Sequence, residues 1–219
     1  MKHTSTKKLT TLGLLCTLAY IATVFGRVPL ILFLKYDPKD VVIVIGGLLF
    51  GPLTALAISV IVSVTEMFTV SSTGFWGCLM NVISSCAFAC PAAFLYGKRR
   101  RLSGALGGLL GGWGCQVAVM MLWNYLVAPV YMGYSREAVA QLLLPAFLPF
   151  NVIKGGLNAG IALLLYKPAV TALRRSRLAE ALPASEPVLK MRFRPGAFLT
   201  ALFLLASCLL LFLSLRGAF

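Results

Sequence analysis

The chain is short of the groups that carry chemistry or favour water. Its 219 residues include six acidic side chains, one histidine and 12% charged residues, against 59% hydrophobic ones. So few charges cannot clothe a soluble domain of this length, and the chain is an integral membrane protein. His3 stands alone in the N-terminal tail, which excludes a multi-histidine metal site and leaves no base to activate a serine in an apolar segment. The acidic residues are Asp37, Asp40, Glu66, Glu137, Glu180 and Glu186; only Glu66 falls inside an apolar run, and no two are placed for acid–base work. No Walker A sequence occurs. The glycines between 104 and 112 follow no strand, so they allow close helix packing and do not form a phosphate cradle. All six cysteines lie in apolar segments, without the spacing of a disulfide framework or a zinc site, and are read as small buried hydrophobes. Internal repeats, heptads and low-complexity tracts are missing too. An enzyme is therefore disfavoured, and no cofactor is called for.

What is present is a series of apolar runs, several of them about as long as the 20 residues a helix needs to cross a bilayer. They cover residues 9–25, 41–49, 53–70, 78–96, 103–127, 144–168 and 197–215. None alternates as β-barrel strands do, so the fold class is all-α, a polytopic helical bundle. The expected organisation is an N-terminal tail over 1–8, a six-helix membrane domain over 9–170, a basic linker over 171–196 and a seventh transmembrane helix over 197–219. Residues 30–40 read as a loop over the membrane, turned at Asp37-Pro38, with the charges of Lys35, Asp37, Lys39 and Asp40 in water.

The formal charge of +14 would point to nucleic acid in a soluble protein. Here its distribution is topological. With the N-terminus cytoplasmic, 14 basic residues fall on inner segments and five on outer ones, with Lys154 left in the membrane. The clusters at 98–101 and 174–194 also suit contact with anionic membrane lipid. No nucleic-acid partner is expected, and the location is the cell membrane, multi-pass.

The run at 144–168 contains Asn151, Lys154 and Asn158, which share one helical face at about 100° per residue, with Gly155 beside them. A cation near the bilayer centre costs roughly 2.5–3.5 kcal/mol, so Lys154 should face a partner, a cavity or a substrate. The alternating course of the spans places Glu66, Asn81 and Asn124 at the same depth as Asn151 and Lys154, toward the outer face, beneath loops carrying Tyr36, Trp76 and Tyr131. One reading is internal: Lys154 pairs with Glu66 and the asparagines bond between helices, as in a structural subunit that packs against a partner. The other is a pocket whose amides, cation and aromatics suit a small planar polar heterocycle, and the glycines beside the polar face favour it. In the first helix the small residues Gly13, Thr17, Ala19 and Thr23, spaced by four, serve either internal packing or the approach of another helix.

The segment Pro149-Phe150-Asn151-Val152-Ile153-Lys154-Gly155 resembles the Pro-Phe-Asn-x-x-Lys-Gly opening of the sixth helix in the riboflavin-specific S components of energy-coupling factor (ECF) vitamin importers. Lys39-Asp40 ahead of the 45–52 segment, Thr73-Gly74 with Gly77 and Asn81, and Asn124-Tyr125 match in order and spacing, and the likeness covers about 9–170. It implies a six-helix S-component core with both ends cytoplasmic, to which this chain adds a C-terminal apolar segment. It also implies that Asn151, Lys154 and Asn124 hydrogen-bond the polar edge of the flavin. Tyr36, Trp76 and Phe150 are the candidates for stacking, and Asn81, Asn158 and Glu66 complete the candidate site. The ligand would be captured from outside, without chemistry, and delivered inward with a transmembrane coupling protein and two cytoplasmic ATPases. Another small vitamin is the nearest alternative. The coupling surface, which in the family is often Ala-x-x-x-Ala, would here be Gly13, Thr17, Ala19 and Thr23.

Overall fold

The computed structural model describes residues 2–31, 34–71, 73–99, 102–175 and 195–216. Helix α1 (Lys2–Gly26) leads into a small antiparallel hairpin, β1 (Val28–Ile31) and β2 (Leu34–Tyr36). A short α2 (Lys39–Phe50) and then α3 (Pro52–Thr69), α4 (Gly74–Lys98) and α5 (Leu102–Met132) follow. After a turn at Gly133, α6 (Arg136–Leu142), a π-helical segment (Leu143–Phe147) and α7 (Leu148–Arg175) run on as one helical rod, and α8 (Pro195–Arg216) ends the described chain. Five of these stretches are long and apolar enough to cross a membrane: Thr6–Gly26, Pro52–Thr69, Gly74–Lys98, Ser103–Met132 and Arg136–Ala169. The expected all-α membrane bundle, with six core helices and a further C-terminal one, is the observed fold.

Small residues set how tightly the bundle closes. Gly108 and Gly112 of α5 lie against the backbone of α4, where a Cβ on Gly108 would come within 2.6 Å of the Ala92 carbonyl and one on Gly112 would collide with that of Phe88. Gly47 of α2 is seated between Ala55 of α3 and Ala93 of α4. In lipid, where apolar surface alone does not drive helices together, such backbone contact supplies the dispersion energy of association. Gly51, at φ 100°, turns the chain from α2 into α3, and Pro52 begins the new helix where no backbone donor is required.

Several boundaries differ from the sequence expectation. Helix α1 begins at Lys2, not residue 9. The segment expected as a loop holds the hairpin, paired Val28 with Tyr36 and Pro29 with Lys35, and the missing N–H of Pro29 is tolerated on an edge strand. Lys39 and Asp40, expected in water, form the first turn of α2 and are fully buried, because each finds an opposite charge inside the bundle. Helix α5 continues through Pro129 to Met132, and helix resumes at Arg136, so the gap between the apolar runs 103–127 and 144–168 shrinks to a short turn. Pro145 lies within the π-helical segment, in which Leu148 N–H reaches back to Leu143 carbonyl, and Pro149 is the second residue of α7; such segments occur often at functional sites. Of the basic linker, residues 176–194 lie outside the described residues.

Candidate functional site

At one end of the bundle, where α1, α3 and α5 finish and α2, α4 and α7 begin, the helices part around a cavity of about 570 Å³. That volume suits a small organic ligand. Its floor and walls come from Asn151, Lys154 and Phe150 of α7, Asn124 and Met120 of α5, and Asn81, Ser84 and Met80 of α4. Its mouth is edged by Arg27, Lys35 and Asp37 around the hairpin and by Ser71 and Thr73 in the α3–α4 turn.

From the mouth of the cavity to beneath its floor runs a connected set of charges, all buried except the partly exposed Arg27. Lys39 Nζ is 2.7 Å from both carboxylate oxygens of Glu66, whose oxygens also accept from the Thr23 hydroxyl and from Asn81 Nδ2 at 3.0 Å each. Lys154 Nζ sits 3.2 Å from Asp40 Oδ2 and donates to Ser84 Oγ at 3.3 Å. Asp40 further accepts from the Ser85 hydroxyl and from Asn158 Nδ2, while Asn158 Oδ1 accepts from the Tyr36 hydroxyl at 2.9 Å. Arg27 grips Asp37 through Nε at 2.6 Å and reaches to 3.5 Å from Glu66. Three cations thus meet three carboxylates, which is how charges are tolerated out of water. Burial works against the Arg27 charge, but the hydrogen bond and charge of Asp37, with Glu66 behind it, more than offset this and hold the guanidinium above its ordinary value. Burial pushes the Tyr36 hydroxyl well above its usual range, and Asp40 and Asp37 add to the effect, so it stays a neutral donor to Asn158.

The pairing of Lys154 with Glu66 weighed above is replaced: Glu66 is taken by Lys39, and the partner of Lys154 is Asp40. Five of the nine candidate binding residues, Asn151, Lys154, Asn124, Asn81 and Phe150, line the cavity. Tyr36, Asn158 and Glu66 stand behind its wall as supports. Trp76 is 38% exposed, edge-on to Phe75 outside the cavity, so it is not a stacking surface there. Nor does Gly155 open space for a ligand, since the Trp113 indole fills that position and donates to the Val152 carbonyl. On α1, Gly13 and Thr17 are exposed, whereas Ala19 and Thr23 are fully buried, Thr23 being bound to Glu66. Sequence reasoning did not single out Ser84, Met80 and Met120 as lining residues; the methionines bring flexible, polarisable surface of the kind that suits a flat ring.

The wall has hydrogen-bonding capacity to spare. Asn124 is 3% exposed, yet its amide bonds no described residue. Asn151 uses Nδ2 on the Phe147 carbonyl, which leaves Oδ1 available, and Lys154 has a third N–H beyond those toward Asp40 and Ser84. Buried amides left in this condition are costly unless something completes them.

A membrane bundle with an incompletely satisfied polar pocket at one end is built to hold a small molecule. The chain belongs to the substrate-specific components of ECF transporters, whose family model matches residues 7–166. It is a transport binding subunit, not an enzyme. It is 31% identical over 160 residues to the riboflavin transporter FmnP of Bacillus subtilis strain 168, covering 68% of this chain and 84% of that protein. With the riboflavin transporter RibU of Staphylococcus aureus strain TCH60 it shares 24% identity over 178 residues, 77% of this chain and 93% of the other. Its fold matches a solved S component of a bacterial ECF transporter at a TM-score of 0.66 and 23% identity, covering 78% of this chain and 99% of that one.

Proposed function

We propose that this chain captures riboflavin for uptake and hands it inward with an ECF coupling protein and two cytoplasmic ATPases. The observation that carries the reading is the convergence of Asn151, Asn124 and the third N–H of Lys154 on one cavity, all with capacity unfilled. The polar edge of an isoalloxazine alternates carbonyl and N–H groups, which asparagine amides match and to which lysine can donate. Phe150 and the methionines of the wall offer apolar contact to the tricycle. The names of the two curated relatives favour the same ligand. The distribution of basic residues favours a cytoplasmic N-terminus, with which the cavity would open at the outer face. Exposed Gly13 and Thr17 on α1 are the part of the small-residue series open to a coupling protein.

Titrating the purified chain with riboflavin tests this directly. Flavin fluorescence should be quenched to a one-to-one end point. If there is no quenching, and another vitamin raises the melting temperature instead, the ligand assignment fails although the pocket stands.

A further inference from the structure

The family model ends at residue 166, and α8 lies wholly beyond it. Its seat is specific. A stripe of Ala201, Leu205, Cys208 and Phe212 faces the bundle, while the large hydrophobics Phe203, Leu209 and Leu210 face outward. A Cβ on Gly156 of α7 would collide with Cys208, and one on Gly160 would meet Leu205 at 3.0 Å and the Ala201 carbonyl at 3.4 Å. Rising residue numbers on α7 therefore meet falling numbers on α8. The two helices are antiparallel, and the Phe212 end of α8 lies at the cavity end of the bundle. Helix α8 has 22 residues, and its apolar part, Phe198–Ser214, is shorter than the five spanning stretches.

At that end Cys208 is buried in one cluster with Ile31 of the hairpin and Phe150 and Ile153 of α7, and Phe212, Leu30 and Leu34 pack against it. Phe150 and Leu34 also line the cavity. We propose that α8 is a clamp on the binding pocket: it packs beside α7 and holds the β1–β2 hairpin against the Phe150 wall, so that a bound ligand leaves slowly. Phe212 and Cys208 act as positioning residues, since they reach the ligand site only through Phe150 and Leu34. Because the rest of the pocket is built without α8, it governs retention more than capture, a split carried by the dissociation rate.

The proposal rests on the cavity being the ligand site, and its test separates the two. Phe212→Ala removes the packing at the cavity end, and Ala201→Phe wedges α8 off Gly160 at a distance from the cavity. Both are made in the full chain in lipid nanodiscs, and faster maleimide labelling of Cys208 reports that α8 has shifted. The expected result is riboflavin dissociation faster by about fivefold or more, with association nearly unchanged, and faster amide exchange over the hairpin but not over α4 and α5. Unchanged dissociation and hairpin exchange in variants whose Cys208 labels faster would overturn the clamp. So would a uniform loss of protection across the bundle, which marks a merely structural helix. If the parent chain does not quench riboflavin, the ligand assignment fails, and hairpin exchange alone decides the clamp.

Discussion

Neutralising Asp40 should loosen Lys154 and, with it, the ligand. At 3.2 Å and an effective dielectric near 20, the gross attraction of this pair is about 5 kcal/mol, most of which is offset by stripping water from both charges. Removing one partner alone is worse than removing both, because it leaves a buried cation uncompensated at a cost of about 3–5 kcal/mol. Asp40→Asn keeps the shape and the contact with Asn158, so the loss should fall toward the lower end. The double change Asp40→Asn with Lys154→Met should recover about 1–3 kcal/mol relative to the sum of the single changes. Reversible unfolding in mixed micelles measures that coupling. A parallel cycle on Lys39 and Glu66 should behave likewise, since they meet at 2.7 Å. Riboflavin affinity should fall about tenfold or more in Asp40→Asn, because the charge-assisted bond from Lys154 loses its alignment. Strict additivity for Asp40 and Lys154, together with strong coupling between Glu66 and Lys154, would show that the charges are paired as the internal reading of the sequence had it and would refute the geometry.

Asn124→Leu and Asn151→Leu should each weaken riboflavin binding about 10- to 100-fold while the bundle keeps its helix content and its elution on size exclusion, since each removes ligand-facing capacity. Gly112→Val should destabilise the fold by about 1–3 kcal/mol or more, because the added carbons meet the Phe88 carbonyl, and a lowered melting temperature would record it. A Cβ on Gly13, by contrast, meets nothing. Gly13→Leu should leave melting and riboflavin binding unchanged but reduce co-purification with the coupling protein. A reporter fused to the C-terminus should appear on the opposite side of the membrane from one fused to the N-terminus, which protease protection in intact cells would reveal.

The apolar runs made the helices legible, because span length in a membrane is dictated by bilayer thickness and little else. Asn151, Lys154, Asn124 and Asn81 were legible for the same reason: a polar group in lipid needs an explanation, and the alternating course of the spans brings these to one depth. Lys39 and Asp40 were misplaced by the same logic. Two adjacent opposite charges after Asp37-Pro38 look hydrated, and nothing local reveals that one will meet Glu66 and the other Lys154 across the bundle. Trp76 was a stacking candidate as an aromatic in a loop over the polar depth, yet it is exposed in the first turn of α4. Gly155 illustrates the converse: a glycine beside a polar face signals close approach, but only the fold shows that the approaching group is Trp113.

Closure of the charges in pairs also bears on which molecule fits. Arg27, Lys39 and Lys154 are balanced by Asp37, Glu66 and Asp40 before any ligand arrives, so the cavity floor offers dipoles and single N–H groups, not a surplus of either sign. A ligand that carried a net charge down to Lys154 would break that balance in a medium of low dielectric, at a cost of several kcal/mol that amides cannot neutralise. A neutral ring with alternating donors and acceptors completes Asn124 and Asn151 without that cost. Charge would be tolerated only at the mouth, where Lys35 is exposed. Selectivity thus follows from the same network that lets the charges stay buried: Asp40 holds Lys154 as an aimed donor and keeps it from acting as a free cation, which is why its neutralisation should reduce discrimination against anionic ligands together with affinity for riboflavin.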